Sequence, residues 1–163
     1  MATVLKHIEE TLEIVKTAIS TNLQAYLTVI NTEKADGRTL TAPIASNYII
    51  SEIEAIAGFP FIQFVPDTSN TIIPGGHWDE TDHNIIIKVH NVTKEGSTYD
   101  CAVRSYRFAR AIAEIIIDNR TLTDQVIGIK INNVNYTPMM SDGSSFKQEV
   151  WINCTVKHHG TFS

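Results

Sequence analysis

At 163 residues with 43% hydrophobic side chains, the chain is long enough for one compact core and too short for two comfortable domains, so a single domain over 1–163 is expected. A formal net charge of -5 with scattered Lys and Arg argues against a protein that grips nucleic acid by neutralising phosphates. Lys6, Glu9 and Glu10 interrupt the apolar pattern of the N-terminus, and no run approaches the roughly 18 apolar residues of a membrane span, so a soluble, non-secreted chain is expected.

In chain order, Leu5, Ile8, Leu12, Val15, Ile19, Leu23, Tyr26, Leu27 and Ile30 recur at helical spacing. One helix from about residue 4 to 30 follows, with Thr3 as N-cap and a kink or break at Ser20, Thr21 and Asn22, whose short polar side chains compete for backbone hydrogen bonds. Residues 31–43 are rich in charge and turn formers and read as an exposed connection. The pattern over 44–57 suits a short helix or a strand, and the sequence leaves that open. Phe59 to Val65 carries large apolar side chains on both alternating faces, the mark of a strand covered on both sides, with Pro60 among its first residues.

From Asn84 to Val92, Ile85, Ile87 and Val89 alternate with Ile86, Lys88 and His90, which predicts a half-covered strand. Ser97 to Asp118 is a helix with Ser97 or Thr98 as N-cap and Asp100 in the first turn, where a carboxylate suits the helix dipole. One of its stripes is Tyr99, Ala102, Val103, Tyr106, Ala109, Ala113, Ile116 and Ile117; at about 100° per residue, Cys101, Phe108, Ala111, Ile112 and Ile115 fall on the other side. Such a helix needs two apolar partners: the sheet, and either the first helix or a neighbouring subunit. Phe108, Ala111, Ile112, Ile115 and Arg104 are therefore candidate subunit-interface residues, while Arg110 is expected to pair with Glu114 or with another subunit.

Ile127, Ile129 and Ile131 alternate, then Val134 and Tyr136 continue on the other parity, which predicts a β-bulge near Asn132 and Asn133. Asp142 and Gly143 mark a turn into a last strand, Phe146 to Lys157, completing a long antiparallel hairpin. Trp151 lies on the polar face of that strand and is a further interface candidate. The fold class is α+β: a small mixed or mostly antiparallel sheet of about four strands, packed against a long N-terminal helix and a second helix.

The stretch GGHWDETDHN places His77, Asp79, Glu80, Asp82 and His83 within seven residues. The donor types suit a metal, but the spacing matches neither a helical HExxH face nor a calcium loop. A solvated loop is the plainer reading, with Trp78, Asp79, Glu80 and Asp82 as candidates for touching a partner chain and 66–83 as a long connection. His158 and His159 read as a frayed polar end, and His90 and His7 as surface residues. Cys101 and Cys154 lack CxxC spacing and are expected to be buried and reduced; the sequons at Asn91, Asn119, Asn135 and Asn153 are treated as coincidence. No GxSxG, GxxxxGK[ST] or GxGxxG occurs, and no catalytic, cofactor-binding or metal-binding residue is assigned.

Taken in order, the long first helix, GFPFIQFVPDT, HNIIIKVHNVTKEGSTYDCAVRSYRFARAIAEIIID and VIGIKINNVNYTPMMSDGSSFKQEVWINCTVKHHG resemble the tail terminator, or tail-completion, proteins in the neck of long-tailed bacteriophages. The individual motifs are small: the strand ending in Pro66 and Asp67, the helix rich in Tyr, Arg and Ala, and Tyr136 and Pro138 ahead of the last strand. The resemblance implies a non-enzymatic virion subunit that closes into a hexameric ring, stops the tail tube and docks the head connector. Its partners would be further copies of itself, the tail tube protein and the connector protein, with DNA passing through unbound and no membrane. Two readings stand beside it: another neck or adaptor protein, and a small metal-dependent hydrolase using the 77–83 loop.

Overall fold

The computed structural model describes residues 8–50, 58–72, 78–94 and 97–161; the side chains of 70–79 and 159–161 lie outside that description. The elements are α1 (Ile8–Lys34), a 3-10 turn (Ala45–Asn47), β1 (Tyr48–Ile50), β2 (Phe61–Ile72), β3 (Trp78–Thr93), α2 (Thr98–Asp118), β4 (Gly128–Tyr136), β5 (Met140–Ser141) and β6 (Phe146–Thr161). They form one mixed sheet ordered β1-β2-β3-β6-β4, with β5 also on β6; among the described residues β1 pairs in parallel with β2 and the other pairings are antiparallel. The α+β class is as expected, but the sheet has six strands rather than about four.

The alternation of β3 and β6 sorts the sheet into two faces. Ile85, Ile87 and Val89, with Val150, Ile152, Cys154 and Val156, are buried in the core with both helices, whereas Ile86, Lys88, Trp151, Asn153 and Thr155 are only half-buried on the other face. α1 packs over β1, β2 and β3, and α2 over β3, β6 and β4. Six apolar residues of α1, Leu12, Val15, Ile19, Leu23, Leu27 and Ile30, are almost fully buried, one long stripe facing the sheet.

No break occurs at Ser20 to Asn22. Asn22 Nδ2 donates to the Ala18 carbonyl at 2.7 Å and Ser20 Oγ to that of Thr17 at 3.3 Å, so these side chains bond back along the helix instead of leaving it. The helix therefore runs four residues beyond the expected end, to Lys34, and closes with Ala35 in the left-handed region. The proposed cap Thr3 lies outside the described residues. In the undecided 44–57 segment, the described part is a 3-10 turn and the short strand β1.

α2 starts and ends where the sequence predicts, at Thr98 and Asp118. Ser97 caps the helix, with its side chain accepting from the Asp100 N–H while Asp100 reaches back to the Ser97 N–H. The β4–β6 register shifts between Ile131 and Asn133, where the change of parity placed a bulge. The 66–83 connection, by contrast, is largely strand: β2 runs to Ile72 and β3 starts at Trp78, paired on one side with β2 and on the other with β6. A side-chain rung replaces apolar packing there. Asn84 Nδ2 donates to Thr68 Oγ1 at 2.7 Å, Thr155 Oγ1 to Asn84 Oδ1 at 2.7 Å, and Asn132 Nδ2 to Thr155 Oγ1 at 2.8 Å, linking four strands in a row.

Candidate assembly surface

α2 has one buried side and one wet side. Cys101, Phe108, Ala111, Ile112 and Ile115 are buried within the chain by the sheet and α1, so Phe108, Ala111, Ile112 and Ile115 are core residues and not the exposed patch that the two-stripe argument assigned to a neighbour. The leftover apolar surface is on the other stripe: Tyr99 is 64%, Tyr106 50% and Ile117 54% exposed, while Ala102, Val103 and Ala113 are half-buried. Beside it runs β4, an edge strand of the sheet, whose Tyr136 ring stands perpendicular to that of Tyr106 with centroids 5.0 Å apart. The available signal was chemical: tyrosines at 99, 106 and 136 carry an apolar body and a polar tip, which suits a half-wet flank better than a sealed core.

Below the tyrosines, a cavity of about 310 Å³ separates the end of α2 from β4, lined by Ile116, Ile117, Ile129 and Ile131 with Arg120 and Lys130 at the rim. A second, of about 350 Å³, shares Arg120, Ile129 and Lys130 and continues to Asp82, Thr155 and Lys157. Apolar surface with a cationic rim therefore wraps the first half of β4.

Polar bonds fix α2 against the α1 turn. Arg107, only 7% exposed, donates Nη1 to Asp36 Oδ1 and to the Arg38 carbonyl, each at 3.0 Å. Arg38 in turn donates Nε to Asp100 Oδ1 at 2.6 Å and Nη1 to Asp36 Oδ2 at 2.9 Å. The Arg107 guanidinium holds the Asp36 carboxyl far below the usual carboxylate range, and bonds from the Ser97 backbone and then Arg38 bring Asp100 down to about 2. Arg110 joins Glu114 at 2.7 Å, as expected, and also Glu33 of α1 at 2.7 Å, so this cation is used within the chain. Arg104 is half-buried, and its Nε is buried without a hydrogen-bond partner among the described residues.

The acidic and histidine stretch is dispersed by β3 rather than gathered in a loop. Trp78 and Asp79 pair by backbone with Thr161 and Gly160; Glu80 accepts from Lys157 Nζ at 3.0 Å, with Asp82 at 3.8 Å from the same amine. The loop expected to carry Trp78, Asp79, Glu80 and Asp82 as contact residues is thus corrected to a strand: all four pair by backbone with β6, and Glu80 and Asp82 also with β2. Asp82 and His83 project to opposite faces, so they share no cavity for acid–base work. His77 lies outside the described residues.

His83 points inward, 5% exposed, with Nδ1 at 2.7 Å from Ser69 Oγ; His158, 3% exposed, bonds Thr11 Oγ1 at 2.8 Å. The expected frayed end is instead ordered strand: β6 continues to Thr161 and puts His158 on its inner parity under α1. His90 is likewise half-buried on the outer face, stacked on Phe61 with centroids 4.0 Å apart and bonded to Glu149. Trp151 lies flat on that face with Lys88 Nζ 4.6 Å from its ring and its Nε1 donating to Glu149 at 2.8 Å.

No protein-family model matches the chain, and no curated protein does. Among solved structures, a chain from the "Virion of native gene transfer agent (GTA) particle" aligns with 88% of this chain and 97% of its own length, at 9% identity and a TM-score of 0.42.

Among the described residues, exposed aromatic and apolar side chains gather on two surfaces. The outer flank of α2 and the edge of β4 form a Tyr-rich strip next to a cation-rimmed groove, and Trp151 forms part of a separate polar and aromatic sheet face. Both cysteines are buried and unbridged, with burial raising the Cys154 thiol to about 12. No helix among the described residues is long and apolar enough to cross a membrane.

Proposed function

We propose that the chain is a non-enzymatic structural subunit of a long-tailed phage virion, assembling head to tail into a closed ring at the end of the tail tube, where it stops tube growth and meets the head connector. One observation carries the assembly half of this reading: Tyr99, Tyr106 and Ile117 on α2 and Tyr136 on the sheet edge keep about half or more of their surface in water, with the Tyr106 and Tyr136 rings in contact. Such a flank, distinct from the rest of the surface, suits the heterologous contacts from which rings close. The ordered resemblance of the sequence segments to tail-completion proteins supplies the virion context.

Electron microscopy of particles from a phage lacking this gene tests the reading. Overlong tails are the expected outcome. Tails of normal length on filled heads would overturn it, and tailless filled heads would favour an adaptor on the head side instead.

A further inference from the structure

The first half of β4 lies between two sockets. On the helix side, Ile116 and Ile117 of α2 face Ile129 and Ile131 across a space of about 310 Å³. On the outer face of the sheet a second space, of about 350 Å³, opens over Ile127 and Gly128. Arg120, Ile129 and Lys130 line both, so the two sockets share one pair of cations.

Local backbone chemistry builds this arrangement. After α2 the chain turns through Leu122, Thr123 and Asp124, all at positive φ, and comes back into β4. The Ile129 N–H then donates to the Arg120 carbonyl at 2.8 Å, which fixes Arg120 against the strand before anything binds. The outer socket stays open because Gly128 brings no side chain to it. A Cβ placed on Gly128 would have the Arg120 carbonyl oxygen, at 3.9 Å, as its nearest neighbour among the described residues.

The two shared cations are also uncommitted. Arg120 and Lys130 are exposed and join no ion pair among the described residues, whereas Lys157 is spent on Glu80 and Arg110 on Glu33 and Glu114. In a chain of net charge -5 they form a local positive site flanked by isoleucines. A nucleic-acid backbone would meet the charges but leave the isoleucines wet, so the occupant must bring apolar surface as well as negative charge. A polypeptide that puts one apolar side chain into each socket carries its intervening side chain past Arg120 and Lys130, where a carboxylate fits. Tyr99, Tyr106 and Tyr136, next to the groove, are the surface that the ring reading gives to the neighbouring copy.

We infer that this groove receives an extended segment of a different protein, reading apolar, acidic, apolar, with its two apolar side chains in the sockets and its carboxylate on Arg120 and Lys130. This goes beyond the ring reading and does not require it.

Calorimetric and NMR titrations of the full chain at low salt, with a blocked serine-leucine-glutamate-leucine-serine peptide, test it. Saturable binding is expected below millimolar peptide, with amide shifts centred on Ile117, Ile129 and Lys130, and the peptide with lysine in place of glutamate should bind at least tenfold more weakly. Arg120→Glu with Lys130→Glu should reverse that preference. Gly128→Val, which suits a strand and fills the outer socket, should weaken both peptides, and Lys16→Glu on α1 should change neither. Unfolding midpoints check that each variant is folded; should the double reversal fail that check, Lys130→Gln replaces it, expected to weaken the glutamate peptide and flatten its salt dependence. No saturable binding, or binding blind to the glutamate and to the reversals, overturns the inference and leaves the ring standing. Self-association of the wild-type chain that the peptide displaces and the double reversal abolishes would give the groove to a second copy, which overturns the different-protein occupant.

Discussion

Tyr106 of α2 meets Tyr136 of β4 edge to face, 5.0 Å between ring centroids, and about half of each residue remains in water, at 50% and 45% exposure. On the opposite side of the same helix Ile112 is fully buried. The two positions separate folding from assembly. Ile112→Ala should cost about 2–5 kcal/mol of stability, the range for deleting buried aliphatic groups. Tyr106→Ser should cost about 1 kcal/mol, since little beyond the ring pair is lost, yet weaken association of subunits clearly. Denaturant melts beside light scattering check both; the reverse ranking would mean that the buried and wet sides of α2 have been exchanged.

Periodicity located every long element but could not orient α2. With apolar residues on both sides, the helix gave no polar face to mark the solvent, and the stripe of Phe108, Ile112 and Ile115 was as plausible outside as the tyrosine stripe. The parity change at Asn132 and Asn133 was legible because a bulge must flip side chains between faces. What hid the far ends of β2 and β3 was the replacement of apolar alternation by hydrogen-bonded Thr and Asn, a rung visible only once the strands are side by side. The inward turn of His158 was hidden for the same reason, because its burial depends on α1 arriving from 147 positions away.

The rung itself is testable. Asn84 uses its amide to join Thr68 and Thr155, so Asn84→Ala removes two side-chain bonds at once, roughly 1–2 kcal/mol on a half-buried face. Thr155→Val, which removes the hydroxyl shared by Asn84 and Asn132, should cost a similar amount, and the double change should cost less than the sum because the bonds overlap. Strict additivity in a denaturant double-mutant cycle would show that the rung is not a connected unit.

Acid should loosen the α1–α2 junction in a defined direction. The folded-state values of Asp36 and Asp100 lie below their ordinary ones, so their contribution is present above the unfolded value and is lost as pH falls towards the folded values, to about 2 for Asp100. Asp36→Asn should therefore lower the unfolding midpoint at neutral pH, with the gap from wild type closing as the pH drops. A gap that stays constant down to strongly acid pH would mean that Arg107 draws nothing from the charge of Asp36.

Cys154 should resist alkylation in the native protein. Its thiol is buried and raised to about 12, so at pH 8 almost none of it is thiolate, and Cys101 is likewise fully buried with its thiol raised by desolvation. Iodoacetamide should modify both only after unfolding. Rapid native labelling of either would place it on a surface that the fold keeps closed.

His90 gives the stability a near-neutral pH dependence of defined sign. Burial beside Phe61 lowers its value below the usual 6.5, and that desolvation outweighs the attraction of the Glu149 carboxylate 3.1 Å away, with Lys88 adding to the lowering. With the folded value depressed, the unfolded chain binds the proton more readily, so stability is present above the unfolded value and falls as pH drops through 6.5 towards the folded value. One proton sets the limit of the slope, about 1.4 kcal/mol per pH unit. His90→Gln keeps a polar side chain beside Gln63 and Glu149 but cannot titrate, so its unfolding free energy should run flatter than wild type between pH 7 and 5. If His90→Gln instead steepens the fall, the Glu149 attraction is the stronger effect and the imidazole is held charged on this face of the sheet.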